Sequence, residues 1–125
     1  MILLVPDAPA SVVTGLSEFF EIAGLDMNER KAKRPCQVRT ASVQADRVPL
    51  RGKVMIEPDI VGRMTEPCDL VIVPALGPNV AGIRRRLGME IEWLKDAASR
   101  GTRIASVCSG AFLLASTGLI DDREA

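Results

Sequence analysis

Ser106-Val107-Cys108-Ser109-Gly110 places a thiol between a strand-forming run, Arg103 to Val107, and an apolar helix-forming run, Ala111 to Ala115. A chain that passes from strand to helix within one or two residues forces the intervening residue into a strained backbone conformation, and small neighbours relieve the crowding. Ser106 and Gly110, two positions to either side of Cys108, meet that need. A side chain on such an elbow projects at the carboxyl end of the sheet, where open α/β folds place their ligands. The N–H groups of the following helix point at the same spot and favour a thiolate over a thiol. Cys108 is therefore the candidate nucleophile or ligand contact, whereas Cys36 and Cys68 read as small packing residues.

The rest of the composition restricts what that thiol can do. Histidine is absent, so no Cys–His dyad can form within these residues. Three cysteines without a C-x-x-C pair indicate neither a disulfide framework nor a zinc site, and neither metal nor cofactor is expected. Sixteen basic residues balance sixteen acidic ones, which removes the electrostatic footprint of a domain that binds nucleic acid by itself. The clusters Arg30-Lys31-Ala32-Lys33-Arg34 and Arg84-Arg85-Arg86 read as solvated faces. Apolar runs such as Ile2-Leu3-Leu4-Val5 are far shorter than the ~20 residues that span a bilayer. No membrane association is expected, and with no basic n-region after Met1 the expected location is cytoplasmic.

The elements that must position Cys108 follow from periodicity. Met1 to Val5 is a continuous apolar run stopped by Pro6, as a strand buried on both faces reads. Val12, Leu16, Phe19, Phe20 and Ala23 then keep helical spacing, with Gly24 placed as a C-terminal cap. Cys36 to Val43 predicts a second strand nearer a sheet edge, and Val48 to Ile56, with a turn at Arg51-Gly52, a small hairpin. Pro58-Asp59 followed by Ile60, Val61 and Met64 predicts a short helix ended before Pro67. Leu70 to Val73 reads as the central strand, followed by a loop through Gly77, Pro78 and Asn79. Ile83, Leu87, Ile91, Leu94 and Ala98 keep helical spacing through an irregularity at Gly88, and Trp93 lies off that stripe at an expected half-buried position. The strand Arg103 to Val107 leads into a helix expected to be buried, closed by Gly118. The order predicts an α/β fold, a three-layer sandwich on a mainly parallel sheet, with residues 1–125 forming most of one domain that looks truncated at its C-terminus.

The stretch Arg103 to Ala115, followed by Thr117-Gly118-Leu119-Ile120-Asp121, resembles the PfpI-like (class I glutamine amidotransferase-like) domain that forms the N-terminal half of GlxA-type AraC-family transcriptional regulators. Ile91 to Leu94, Asp69 to Pro74, and Gly15, Glu18 and Phe20 carry the same likeness, so it runs over essentially the whole sequence. The resemblance implies a flavodoxin-like sandwich that often dimerises and is followed by a helix-turn-helix module that binds DNA. Three departures bear on activity. Val12 stands where catalytic relatives such as isocyanide hydratases carry an acid beside the cysteine. Ala75-Leu76 replaces the glycine pair that commonly follows the central strand of relatives that stabilise an oxyanion. The family's Thr-Thr-His-Trp-like segment would fall about where Ala125 ends the sequence.

Acyl transfer needs a general base and an oxyanion site as well as a thiol. The expectation is therefore a ligand-sensing and dimerisation domain of an AraC-family regulator, ranked ahead of an enzyme. It would bind a small-molecule effector on Cys108 and Ser109 of the elbow and on Ala75, Leu76 and Gly77 of the neighbouring loop. DNA would be reached only through a downstream domain. The alternatives are a PfpI-like cysteine enzyme, hydratase or amidase-like, with Cys108 as nucleophile, and a redox sensor in which Cys108 is oxidised.

Overall fold

The computed structural model describes residues 1–29, 36–78 and 80–121; the basic cluster at 30–34 and the residues after Asp121 lie outside it. Five strands form one sheet: β1 (Ile2–Leu3), β2 (Thr40–Ser42), β5 (Ile60–Val61), β6 (Leu70–Val73) and β7 (Arg103–Ser106). Their spatial order is β5-β2-β1-β6-β7, and every pairing is parallel. Strands β3 (Val48–Leu50) and β4 (Val54–Ile56) form a separate antiparallel hairpin, as the sequence predicts.

Parallel strands need crossovers, and right-handed crossovers put the connecting helices on opposite faces when the chain moves in opposite directions along the sheet. Helix α1 (Ala10–Glu29) links β1 to β2 in one direction. Helices α2 (Ile83–Arg86) and α3 (Gly88–Ser99) link β6 to β7 in the other, and α4 (Gly110–Ser116) packs against them. The result is the expected three-layer flavodoxin-like sandwich. Ile2, Leu3, Leu4, Val5, Val71 and Val73 are fully buried between the layers. Each such side chain stabilises the fold by about 1.5–3 kcal/mol relative to exposure.

Several expectations are corrected. Ile60–Val61 is not helical but an edge strand, paired with Ala41 and Ser42. Asp59 holds it there: its carboxylate accepts hydrogen bonds from the Thr40 N–H (2.6 Å) and hydroxyl (2.8 Å), while its own N–H donates to the Thr40 hydroxyl. The central strand is β1, flanked by β2 and β6, rather than Leu70–Val73. Helix α1 runs on through Gly24, which serves close packing and not capping: a Cβ there would lie 2.5 Å from the Cys36 carbonyl oxygen. The break between α2 and α3 falls at Leu87, beside the expected Gly88. Trp93 is buried, and its indole N–H donates to the Gly62 carbonyl at 2.8 Å. Helix α4 buries Gly110, Leu113 and Leu114 but leaves Phe112 55% exposed, so it is amphipathic and not enclosed.

Candidate functional site: the elbow at Cys108

Strand β7 ends at Ser106, and the ladder continues one residue further, with the Val107 N–H donating to the Val73 carbonyl at 2.9 Å. Cys108 then takes φ +48°, a left-handed conformation that costs a non-glycine residue roughly 1–2 kcal/mol. The turn is closed from behind. Gly110 N–H donates to the Val107 carbonyl (2.9 Å) and Ala111 N–H to the Cys108 carbonyl (3.1 Å). The expected strain at the elbow is present, and Gly110 shows why the next position but one must be small. A Cβ on it would stand 2.5 Å from the Pro74 carbonyl oxygen and 2.8 Å from that of Val73. The start of α4 therefore rests directly on the backbone at the end of β6.

That contact sets the elbow beside the loop 74–78. Ser109 fastens the two, its hydroxyl oxygen accepting a hydrogen bond from the Leu76 N–H at 3.0 Å. Ala75 and Leu76 are buried, Gly77 and Ser109 half-buried, and Cys108 is exposed, while Cys36 and Cys68 are half-buried. The structure thus brings together the residues singled out from sequence, in an arrangement with a specific chemical consequence. The Leu76 N–H, a backbone donor of this loop, is already satisfied by Ser109. Val12 is half-buried on the first turns of α1 and supplies no carboxyl group.

Two residues not singled out from sequence reach this end of the sheet. Asp7, at φ +64°, follows β1 and is exposed, and its N–H donates to the Pro49 carbonyl at 3.0 Å. Arg51, at the hairpin turn, donates its N–H to the Ala8 carbonyl at 2.9 Å, which docks the hairpin onto the β1–α1 loop. Its guanidinium lies over Gly77: a Cβ there would meet Nη1 at 2.9 Å, and Gly77 itself sits at φ +73°. Only the Arg51-Gly52 dipeptide marked this position in sequence, and it signals a turn without saying where the hairpin docks.

Among the described residues Cys108 is exposed, and two clefts lie away from it. A cleft of about 300 Å³ lies at the opposite end of the sheet, against Met1, Arg39, Cys68 and Leu70. A second, of about 480 Å³, is lined by Met64, Pro67 and Arg103. Neither touches the elbow. The first is lined in part by Cys36, whereas the elbow's geometry is closed on both sides by hydrogen bonds.

Two carboxyl groups elsewhere are perturbed. Partial burial pushes Asp59 up, but the hydrogen bonds from Thr40 and the charge of Arg39 outweigh it and hold the carboxyl below the usual range. Burial pushes Glu90, on the first turn of α3, above it. Among the described residues no three His, Cys, Asp or Glu side chains converge as a metal site, and no helix is long and apolar enough to cross a membrane.

Comparison with known proteins adds the following. The profile of the DJ-1/PfpI family matches residues 17–125. The HTH-type transcriptional regulator Rv1931c of Mycobacterium tuberculosis is 39% identical over 61 residues, covering 49% of this chain and 23% of that protein. A crystal structure of a Vibrio parahaemolyticus protein, assigned by inference as a transcriptional regulator, superposes with a TM-score of 0.70 at 17% identity, over 96% of this chain and 61% of that one. The chain thus spans less than two thirds of each relative, about a quarter of the first.

Proposed function

Because this chain belongs to the DJ-1/PfpI family, we propose that it is the ligand-sensing and dimerisation domain of an AraC-family transcriptional regulator, receiving a small metabolite at the Cys108 elbow. Its relatives are described as transcriptional regulators, one of them as HTH-type, and this chain spans only part of each. What carries sensing over catalysis is the hydrogen bond from the Leu76 N–H to the Ser109 hydroxyl. A tetrahedral oxyanion is stabilised by backbone donors aimed at it and free to bond. Here one such donor is occupied, and the chain has no histidine to act as base. The exposed thiol and the half-buried Ser109 and Gly77, backed by the buried Ala75 and Leu76, remain as a recognition surface. With equal numbers of acidic and basic residues, the chain leaves DNA to a downstream domain. Phe19 and Ile22 on α1, 64% and 60% exposed, supply an apolar helix face for pairing two copies in the cytoplasm.

An electrophoretic mobility shift with the full gene product and its own upstream DNA tests the reading. Retardation is expected for the full product and not for residues 1–125 alone. A full product that leaves the DNA unshifted contradicts it.

The strained, exposed Cys108 favours one other reading, a cysteine enzyme whose base comes from outside residues 1–125. Turnover of an isocyanide or amide by the full gene product, lost in Cys108→Ser, would establish it in place of the sensor.

A further inference from the structure

The reading above leaves the chemical class of the effector open, and Arg51 narrows it. Most described arginines are engaged: Arg39 with Glu66, Arg47 with Glu57, Arg63 and Arg100 with Asp96, Arg103 with the Asp69 carbonyl. Arg51 makes no side-chain hydrogen bond or ion pair among the described residues, although its backbone is bonded to the β1–α1 loop. Its N–H is bonded to Ala8, the preceding strand residues Val48 to Leu50 pair with Val54 to Ile56, and Pro49 accepts from Asp7. The turn residues that follow, Gly52 at φ +86° and Lys53 at φ +60°, reverse the chain tightly and leave the guanidinium on the side of the loop 74–78. There it covers Gly77, whose missing Cβ gives it room. Contact then runs without interruption from the guanidinium to Gly77, to Leu76, across its N–H to Ser109, and to Cys108.

We propose that Arg51 is the anion anchor of the Cys108 surface, and that the effector therefore carries a carboxylate or phosphate group. This rests on the sensing reading of the elbow. The backbone that carries the cation is held by hydrogen bonds, so a ligand need not order the hairpin to reach it, and a guanidinium offers the bidentate fork that carboxylate and phosphate match. Asp7 and Lys53 are the other described charges on the elements that dock here; Asp7 forms no ion pair with Arg51.

Two alkylating agents of similar size but different charge test this on the intact chain without a known ligand. The rates of iodoacetate and of neutral iodoacetamide at Cys108, read by peptide mass spectrometry, give a ratio that reports the local potential. The expected result is that Arg51→Ala lowers this ratio at least about threefold at low ionic strength, that Arg51→Lys keeps most of it, and that Arg39→Ala at the far end of the sheet does not change it. Salt of about 0.5 M should erase the difference between wild type and Arg51→Ala. An unchanged ratio in Arg51→Ala overturns the proposal while leaving the sensing reading intact, because that reading asks only that the neutral reagent label Cys108 faster than Cys36 and Cys68. If neither reagent modifies Cys108, the elbow reading fails, and melting in inorganic phosphate at constant ionic strength decides for Arg51. A rise in Tm for wild type that Arg51→Ala abolishes supports the anchor; the same Tm change in both proteins overturns it.

Discussion

Gly110→Ala probes the contact on which the elbow rests. The added methyl would stand 2.5 Å from the Pro74 carbonyl oxygen, 2.8 Å from that of Val73 and 3.1 Å from the Pro74 carbonyl carbon. All three are backbone atoms at the carboxyl end of β6, so no side chain can swing aside, and relief requires that α4 move away from the sheet. Overpacking of this kind costs about 1–3 kcal/mol, and an immobile backbone places this site in the upper half. Removing a glycine gains at most about 0.5–1 kcal/mol within a helix, less at its first residue. The net loss is about 2 kcal/mol, or roughly 8 °C in Tm for a chain of this size. Gly15→Ala is the matched control: it lies within α1 with no atom inside 4 Å of the new methyl, and it should raise stability by up to about 1 kcal/mol. Thermal melts and urea unfolding of the two variants beside wild type measure both. If Gly110→Ala melts at or above wild type while Gly15→Ala behaves as stated, the close approach of α4 to β6 is wrong, and with it the derivation of the elbow.

Ser109→Ala removes the acceptor of the part-buried Leu76 N–H and should cost about 1–2 kcal/mol in urea unfolding. The Asp59 carboxyl is held low in the folded protein, so its contribution is complete above the unfolded carboxylate value near 4 and lost as pH falls through the folded value. The stability gap between wild type and Asp59→Asn should accordingly be full at neutral pH and close in acid. Glu90 has the opposite sign: burial raises it, so its ionisation opposes folding once the pH exceeds the folded value. Glu90→Gln should stabilise the protein at neutral pH, with the gain vanishing below roughly pH 4, where both states are protonated.

The parallel strands β1 and β6 were legible because a strand covered on both faces must be apolar at successive positions, and Ile2 to Val5 and Leu70 to Val73 are. Strand β5 was not, because Pro58-Asp59 before Ile60 and Val61 reads equally as a helix start; what decides is the bonding of Asp59 to Thr40, nineteen residues away. Gly24 and Trp93 were misread for the same reason, their partners Cys36 and Gly62 lying elsewhere in the chain. Phe112 sits in an apolar run yet on the outer side of α4, which only the docking of that helix on β6 determines. At the site the elbow was legible, since a strand that turns at once into a helix has a local signature. Arg51 was not, because its place over Gly77 depends on where a hairpin docks.

The central claim is that a small molecule at the elbow is read out as a change in DNA binding. It is tested most directly by measuring the Kd of the full gene product for its own promoter before and after stoichiometric iodoacetamide modification of Cys108, in a Cys36→Ser, Cys68→Ser background. Coupling of ordinary size, about 1–3 kcal/mol, predicts a change in Kd of at least about fivefold on modification and none in a parallel Cys108→Ser protein treated the same way. Complete modification with an unaltered Kd would contradict it.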